Sequence, residues 1–137
     1  MNKSIKTLLT IIFCSSVILC AGAKNFDISP RGFGVLPEPR IKFPTSEKVN
    51  LTGKEYLEFK WLHYYAGVSR YEFRLYKGYT MYLKDLLIKQ KIPGHVTSFK
   101  VKANEFENNQ VYTWSLLQVS FTGEKSEKSF CSFKVIK

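Results

Sequence analysis

The chain has 137 residues, of which 45% are apolar and 15% aromatic, and it carries a formal net charge of +10. That is enough apolar material for one domain with its own core, and it excludes a mostly disordered chain. Lysine and arginine are spread along the sequence with no run of five, so the basic excess reads as a solvated surface and not as a specific nucleic-acid site.

The N-terminus has the form of a secretory leader. Lys3 and Lys6 make a short basic start, residues 7–19 are apolar and uncharged, and Ala21-Gly22-Ala23 supplies the small residues that signal peptidase prefers. The predicted signal peptide is therefore 1–23, with the mature chain starting near Lys24. The apolar stretch is too short to cross a bilayer core, which takes about 20 residues, so no transmembrane segment is expected in the mature chain. Lipid attachment at Cys20 is disfavoured, because Leu19 stands where a small residue is required. The expected location is secreted or periplasmic. Cleavage removes Cys14 and Cys20 and leaves Cys131 without a disulfide partner.

Residues 24–40 hold Pro30, Gly32, Gly34, Pro37 and Pro39 with no hydrophobic period, which predicts an extended or loosely docked arm. The domain proper is expected over 41–137. A short edge-type strand at 41–43 ends at Pro44 and continues at 49–51. In 56–61, Leu57, Phe59 and Trp61 alternate with Glu58 and Lys60, the period of a strand with one face in a core. A loop with His63, Tyr64, Tyr65 and Gly67 follows. Alternation resumes over 70–77 with Tyr71, Phe73 and Leu75 inward, and a turn region runs over 78–82.

Residues 83–92 fit either a helical turn through Leu83, Leu86 and Leu87 or a strand through 87–92. The β pattern around them favours a strand ending at Pro93-Gly94. Another strand, 97–103, turns Phe99 and Val101 inward. The run 106–119 passes through a polar turn into a long strand with Tyr112, Trp114 and Leu116 on one face. A tyrosine just after a turn at the head of such a strand is the sequence form of the tyrosine corner of β-sandwiches. A closing strand, 129–136, places Cys131 on its inward phase with Phe133 and Val135, as a small buried hydrophobe. About seven short strands separated by turns give an all-β, two-sheet antiparallel sandwich, with an open barrel as the alternative.

Three of these runs resemble the fibronectin type III-like superfamily (immunoglobulin-like β-sandwiches), especially its bacterial secreted members. They are Pro44 through Trp61, then Tyr71-Glu72-Phe73-Arg74-Leu75-Tyr76-Lys77-Gly78, then the run 106–119. Trp61 corresponds to the family's core tryptophan, Phe106 to a usual leucine and Tyr112 to the corner tyrosine. Asn108-Asn109 replaces the usual Pro-Gly, and Gln118 stands where a small apolar residue is usual. The resemblance covers 39–137 and implies a fold together with a role as spacer or binding module. Fold alone carries no specific function.

No G-x-S-x-G, H-E-x-x-H or Gly-rich phosphate loop is present, and His63, His95 and the acids do not fall at metal-ligand spacing. The sequence thus points to no catalytic residue, cofactor or metal. Three surfaces remain as candidate sites. In a sandwich of this order three loops share one pole, gathering Tyr64, Tyr65, His95, Phe121 and Lys125, and loop tyrosines make rigid contacts at low entropic cost. The opposite pole would hold Tyr79, Met81, Tyr82 and Lys84. On the sheet face, Leu117 and Val119 break the polar phase, with Tyr76 and Ile136 as expected neighbours. That stripe is either a partner surface or a seat for the arm, which carries Phe26, Phe33, Val35 and Leu36. The expected function is a non-catalytic interaction module for a protein or cell-envelope component. The alternatives are a carbohydrate-binding module using the loop tyrosines, and a small enzyme or metal protein centred on His63 and His95.

Overall fold

A computed structural model describes residues 36–45, 47–63 and 65–137. The leader, residues 24–35 of the arm, and Tyr64 lie outside the described residues. Among the described residues the chain forms eight strands: β1 (Arg40–Phe43), β2 (Lys48–Asn50), β3 (Tyr56–Leu62), β4 (Val68–Lys77), β5 (Leu86–Pro93), β6 (Ser98–Lys102), β7 (Val111–Ser120) and β8 (Ser129–Ile136). They make two sheets, one of order β1-β3-β6 and one of order β2-β8-β7-β4-β5. The all-β sandwich read from alternation is the observed architecture. All pairs are antiparallel except β2 with β8.

The two readings of 83–92 both have a share in the outcome. Leu83–Asp85 is one 3-10 turn, and β5 follows it to Pro93. The strand wins downstream because Ile88 and Ile92 fall opposite Leu75 and Tyr71 of β4 and reach the core.

Apolar residues two apart on β3, β4 and β7 meet between the sheets. Phe59 is the hub of that core. Its ring lies 5.0 Å from Phe73 and from Trp114, both edge-on, and 5.9 Å from Phe133. Such edge-to-face pairs suit the quadrupoles of aromatic rings. Trp61, the residue matched to the family's core tryptophan, is buried too, but its ring partner is Tyr71 at 5.3 Å. Trp114 is buried and donates its indole N–H to the Pro44 carbonyl at 3.0 Å.

The tyrosine corner is formed. Glu107 N–H donates to the Tyr112 hydroxyl at 2.8 Å, while the Tyr112 ring packs against Phe106 at 5.0 Å. Asn109, half of the pair that replaces Pro-Gly, takes φ of 62°, a left-handed conformation that asparagine tolerates better than most residues.

Gln118 resolves the one inward position that looked out of place. It faces inward opposite Tyr71, is fully buried, and donates its side-chain amide to the Pro37 carbonyl. Ser129 donates to the Pro39 carbonyl in the same way. Leu36 and Pro39 are buried, so residues 36–39 are docked into the domain, and the short edge strand starts at Arg40.

Candidate functional site

One pole of the sandwich collects the loops after β3, β5 and β7. The cleft between them has a volume of about 340 Å³ and is lined by His63, Ala66, Val68, Ser69, Pro93, Gly94, His95 and Phe121. Its floor is set by close backbone packing. Gly94 N–H donates to Ser69 O at 3.0 Å, and a Cβ on Gly94 would sit 2.2 Å from the Val68 carbonyl oxygen. Only glycine fits that approach. Register shifts on β4 between Val68 and Arg70, a local irregularity of the kind that re-aims side chains at strand ends.

The structure brings His95 and Phe121 into this cleft together with His63. The Phe121 ring is 77% exposed, which is unusual for a large apolar side chain with no core role. His63 is fixed, since its Nδ1 shares a hydrogen bond of 2.9 Å with the Tyr71 hydroxyl. Tyr65 is exposed and lies over Gly67 of the same loop, where an added Cβ would meet its ring at 2.7 Å. It flanks the cleft without lining it. Tyr64 lies outside the described residues.

Lys125 does not line the cleft. Its backbone bridges to Val119 and its ammonium reaches Glu72 on the sheet face, at 3.3 Å. Arg70 approaches the same carboxylate at 3.6 Å. Burial works against the charge of Glu72, but the hydrogen bond and charge of Lys125, with Arg70 and Arg74, outweigh it and hold the carboxyl below its usual range.

The four residues expected to form one stripe on the sheet face are separated. Leu117 lies opposite Glu72, and Val119 opposite Arg70. Tyr76 lies opposite Thr113, four residues further along β4 than Glu72. Ile136 stands at the end of β8, beside Asn50 of β2. Tyr76, Leu117 and Val119 are buried and Ile136 is half-buried. At the opposite pole, Tyr79 joins Glu47, Lys48, Val111, Ser132, Phe133 and Lys134 around a smaller cleft of about 250 Å³.

Among the described residues, no three His, Cys, Asp or Glu side chains gather as a metal set, and no helix is long and apolar enough to cross a membrane. Cys131 is free and half-buried against the core, and its Sγ lies 3.8 Å from the Ser132 carbonyl.

No family model and no curated protein matches the chain in sequence. Solved structures do match in fold. The fibronectin(III)-like modules of Clostridium thermocellum CbhA superpose with a TM-score of 0.51 at 16% identity, over 72% of this chain and 95% of theirs. The FN1-FN3 domains of chicken CNTN1 give 0.50 at 14% identity, over 73% of this chain and 32% of that one. At these identities the likeness establishes the fold, a fibronectin type III-like sandwich.

Proposed function

We propose that the chain is a non-catalytic binding module, secreted or periplasmic, whose pole engages a protein or cell-envelope component. The observation that carries this reading is the open cleft with the bare Phe121 ring beside His63 and His95. An aromatic ring held out from a rigid sheet loses little entropy when it is covered. The flanking imidazoles offer hydrogen bonds at the rim. The fold supports the reading in general terms, since loops at the end of a sandwich are common binding surfaces.

The test is affinity capture from the host's envelope fraction, with the chain from Lys24 and its Phe121→Ala/His95→Ala variant. A component retained by the first and lost from the second is the expected result. Equal retention by both would remove the pole as the site.

A carbohydrate ligand is the second reading. Tyr65 and Phe121 favour it, because both are exposed rings at one pole and exposed rings stack on sugars. A glycan array giving a signal that Tyr65→Ala and Phe121→Ala each weaken is expected on that reading. A blank array excludes it.

A further inference from the structure

We propose that β5 is a docking edge for an extended acidic segment of a partner protein, added as a further strand to the five-stranded sheet. Among the described residues the sheets end in four edge strands: β1, β6, β2 and β5. The first three have four, five and three residues, whereas β5 has eight. An eight-residue edge offers its outward-directed backbone donors and acceptors to a partner strand as far as Ile92, since Pro93 has no N–H. The edge meets the Phe121 cleft only at Pro93, its last residue, and the proposal does not depend on that reading.

Charge selects the partner. Lys89 and Lys91 are exposed and lie opposite Arg74 and Glu72 of β4, on the outer face of the sheet. Among the described residues no ion pair includes Lys89 or Lys91, Glu72 is already engaged by Arg70 and Lys125, and Lys84 precedes the two lysines in the 3-10 turn. A second copy of the chain pairing β5 to β5 would bring these lysines together, and like charges across strands destabilise a sheet. The lysines that deter a second copy attract an acidic strand instead.

Apolar contacts are available at the start of the edge. Register shifts between Leu75 and Tyr76, leaving Leu87 unpaired and 48% exposed. Tyr79, Tyr82 and Leu83 are more exposed still, and Lys84 Nζ sits 5.7 Å over the Tyr82 ring. Large apolar side chains gathered in so few residues beside an open strand mark an interaction surface more often than a solvated loop. A strand that alternates acids with β-branched residues would place carboxylates by Lys89, Lys91 and Arg74 on one face. Its backbone would pair along residues 86–92.

The probe is the peptide Glu-Val-Glu-Val-Glu-Val-Glu-Val, titrated against the full chain at low salt by fluorescence anisotropy. Amide hydrogen exchange locates the contact. Binding with new protection of the amides of β5 is expected. The Lys-Val counterpart and a version with proline at its centre are each expected to bind at least ten-fold more weakly. A Lys89→Glu/Lys91→Glu variant that keeps its thermal midpoint should lose the acidic peptide by at least ten-fold and gain the Lys-Val one, while Phe121→Ala leaves both unchanged. Equal binding of the proline version would overturn strand addition in favour of a plain anionic-polymer surface. Protection outside β5, concentration-dependent self-association through β5, or no binding at all would also overturn it.

Discussion

β7 and β5 flank the same strand, β4, and they could hardly be more different. Eight of the ten residues of β7 are buried, on both faces of the sheet. Of the eight in β5, only Ile92 is. The pairing partner is shared, so pairing does not explain the contrast. Position in the sheet explains part of it. β7 lies between β8 and β4 and contributes Trp114 and Leu116 to the core, while Arg70 and Glu72 and the returning Lys125 loop flank its outward residues at one end. Among the described residues β5 ends the sheet and has one neighbour. An edge strand keeps the backbone groups on its open side available.

The sharpest way to test that contrast is to cut into β7. Trp114→Ala removes a fully buried ring and abandons the Pro44 carbonyl. It should cost about 3–5 kcal/mol, read as a drop in the denaturation midpoint. Tyr112→Phe keeps the ring and deletes only the acceptor of the Glu107 N–H. A loss of about 1 kcal/mol is expected, and a neutral result would mean the corner is held by ring packing with Phe106 alone.

Glu72 sits on β4 between the two. Its carboxyl is held below its usual range, so its stabilising contribution is complete above the unfolded carboxylate range, near about pH 4.3. That contribution disappears as pH falls through the lower folded value. Glu72→Gln should remove this part of the acid limb of a stability-versus-pH curve, and an unchanged limb would show that Lys125 and Arg70 contribute little. The smallest effect belongs to β5. Leu87→Ala should change stability by less than about 0.5 kcal/mol, and a larger loss would mean that β5 is less bare than its exposure indicates.

How much of this was legible in the sequence follows from what alternation encodes. Period two names the core side of a strand, and it named Leu57, Phe59, Tyr71, Phe73, Tyr112, Trp114 and Leu116 correctly. It carries no register between distant strands. Nothing local could therefore tell that Phe59 and not Trp61 would sit among Phe73, Trp114 and Phe133. The same gap set Tyr76 and Ile136 apart from Leu117 and Val119, because adjacency across a sheet depends on pairing offsets and bulges.

At the pole, loop order alone was enough to group His95 with Phe121, since loops after alternate strands end on one side. Lys125 was drawn elsewhere by a carboxylate 53 positions away, and no spacing in the sequence signals that. From the sequence alone His63 is a possible ligand. Its bond to Tyr71 gives it a local role in holding the loop, and the hint in the sequence is only that His63 follows β3 and Tyr71 lies early in β4.

The Gln118 amide and the Ser129 hydroxyl both end on carbonyls of residues 37 and 39. A recombinant fragment trimmed to start at Ile41, where the first strand's pattern begins, would retain every core aromatic named above and still be damaged. Two donors beneath the removed segment would lose their acceptors, one of them fully buried, at about 1–3 kcal/mol for a buried unsatisfied group. A fragment that keeps both acceptors therefore starts no later than Pro37, three residues upstream of β1.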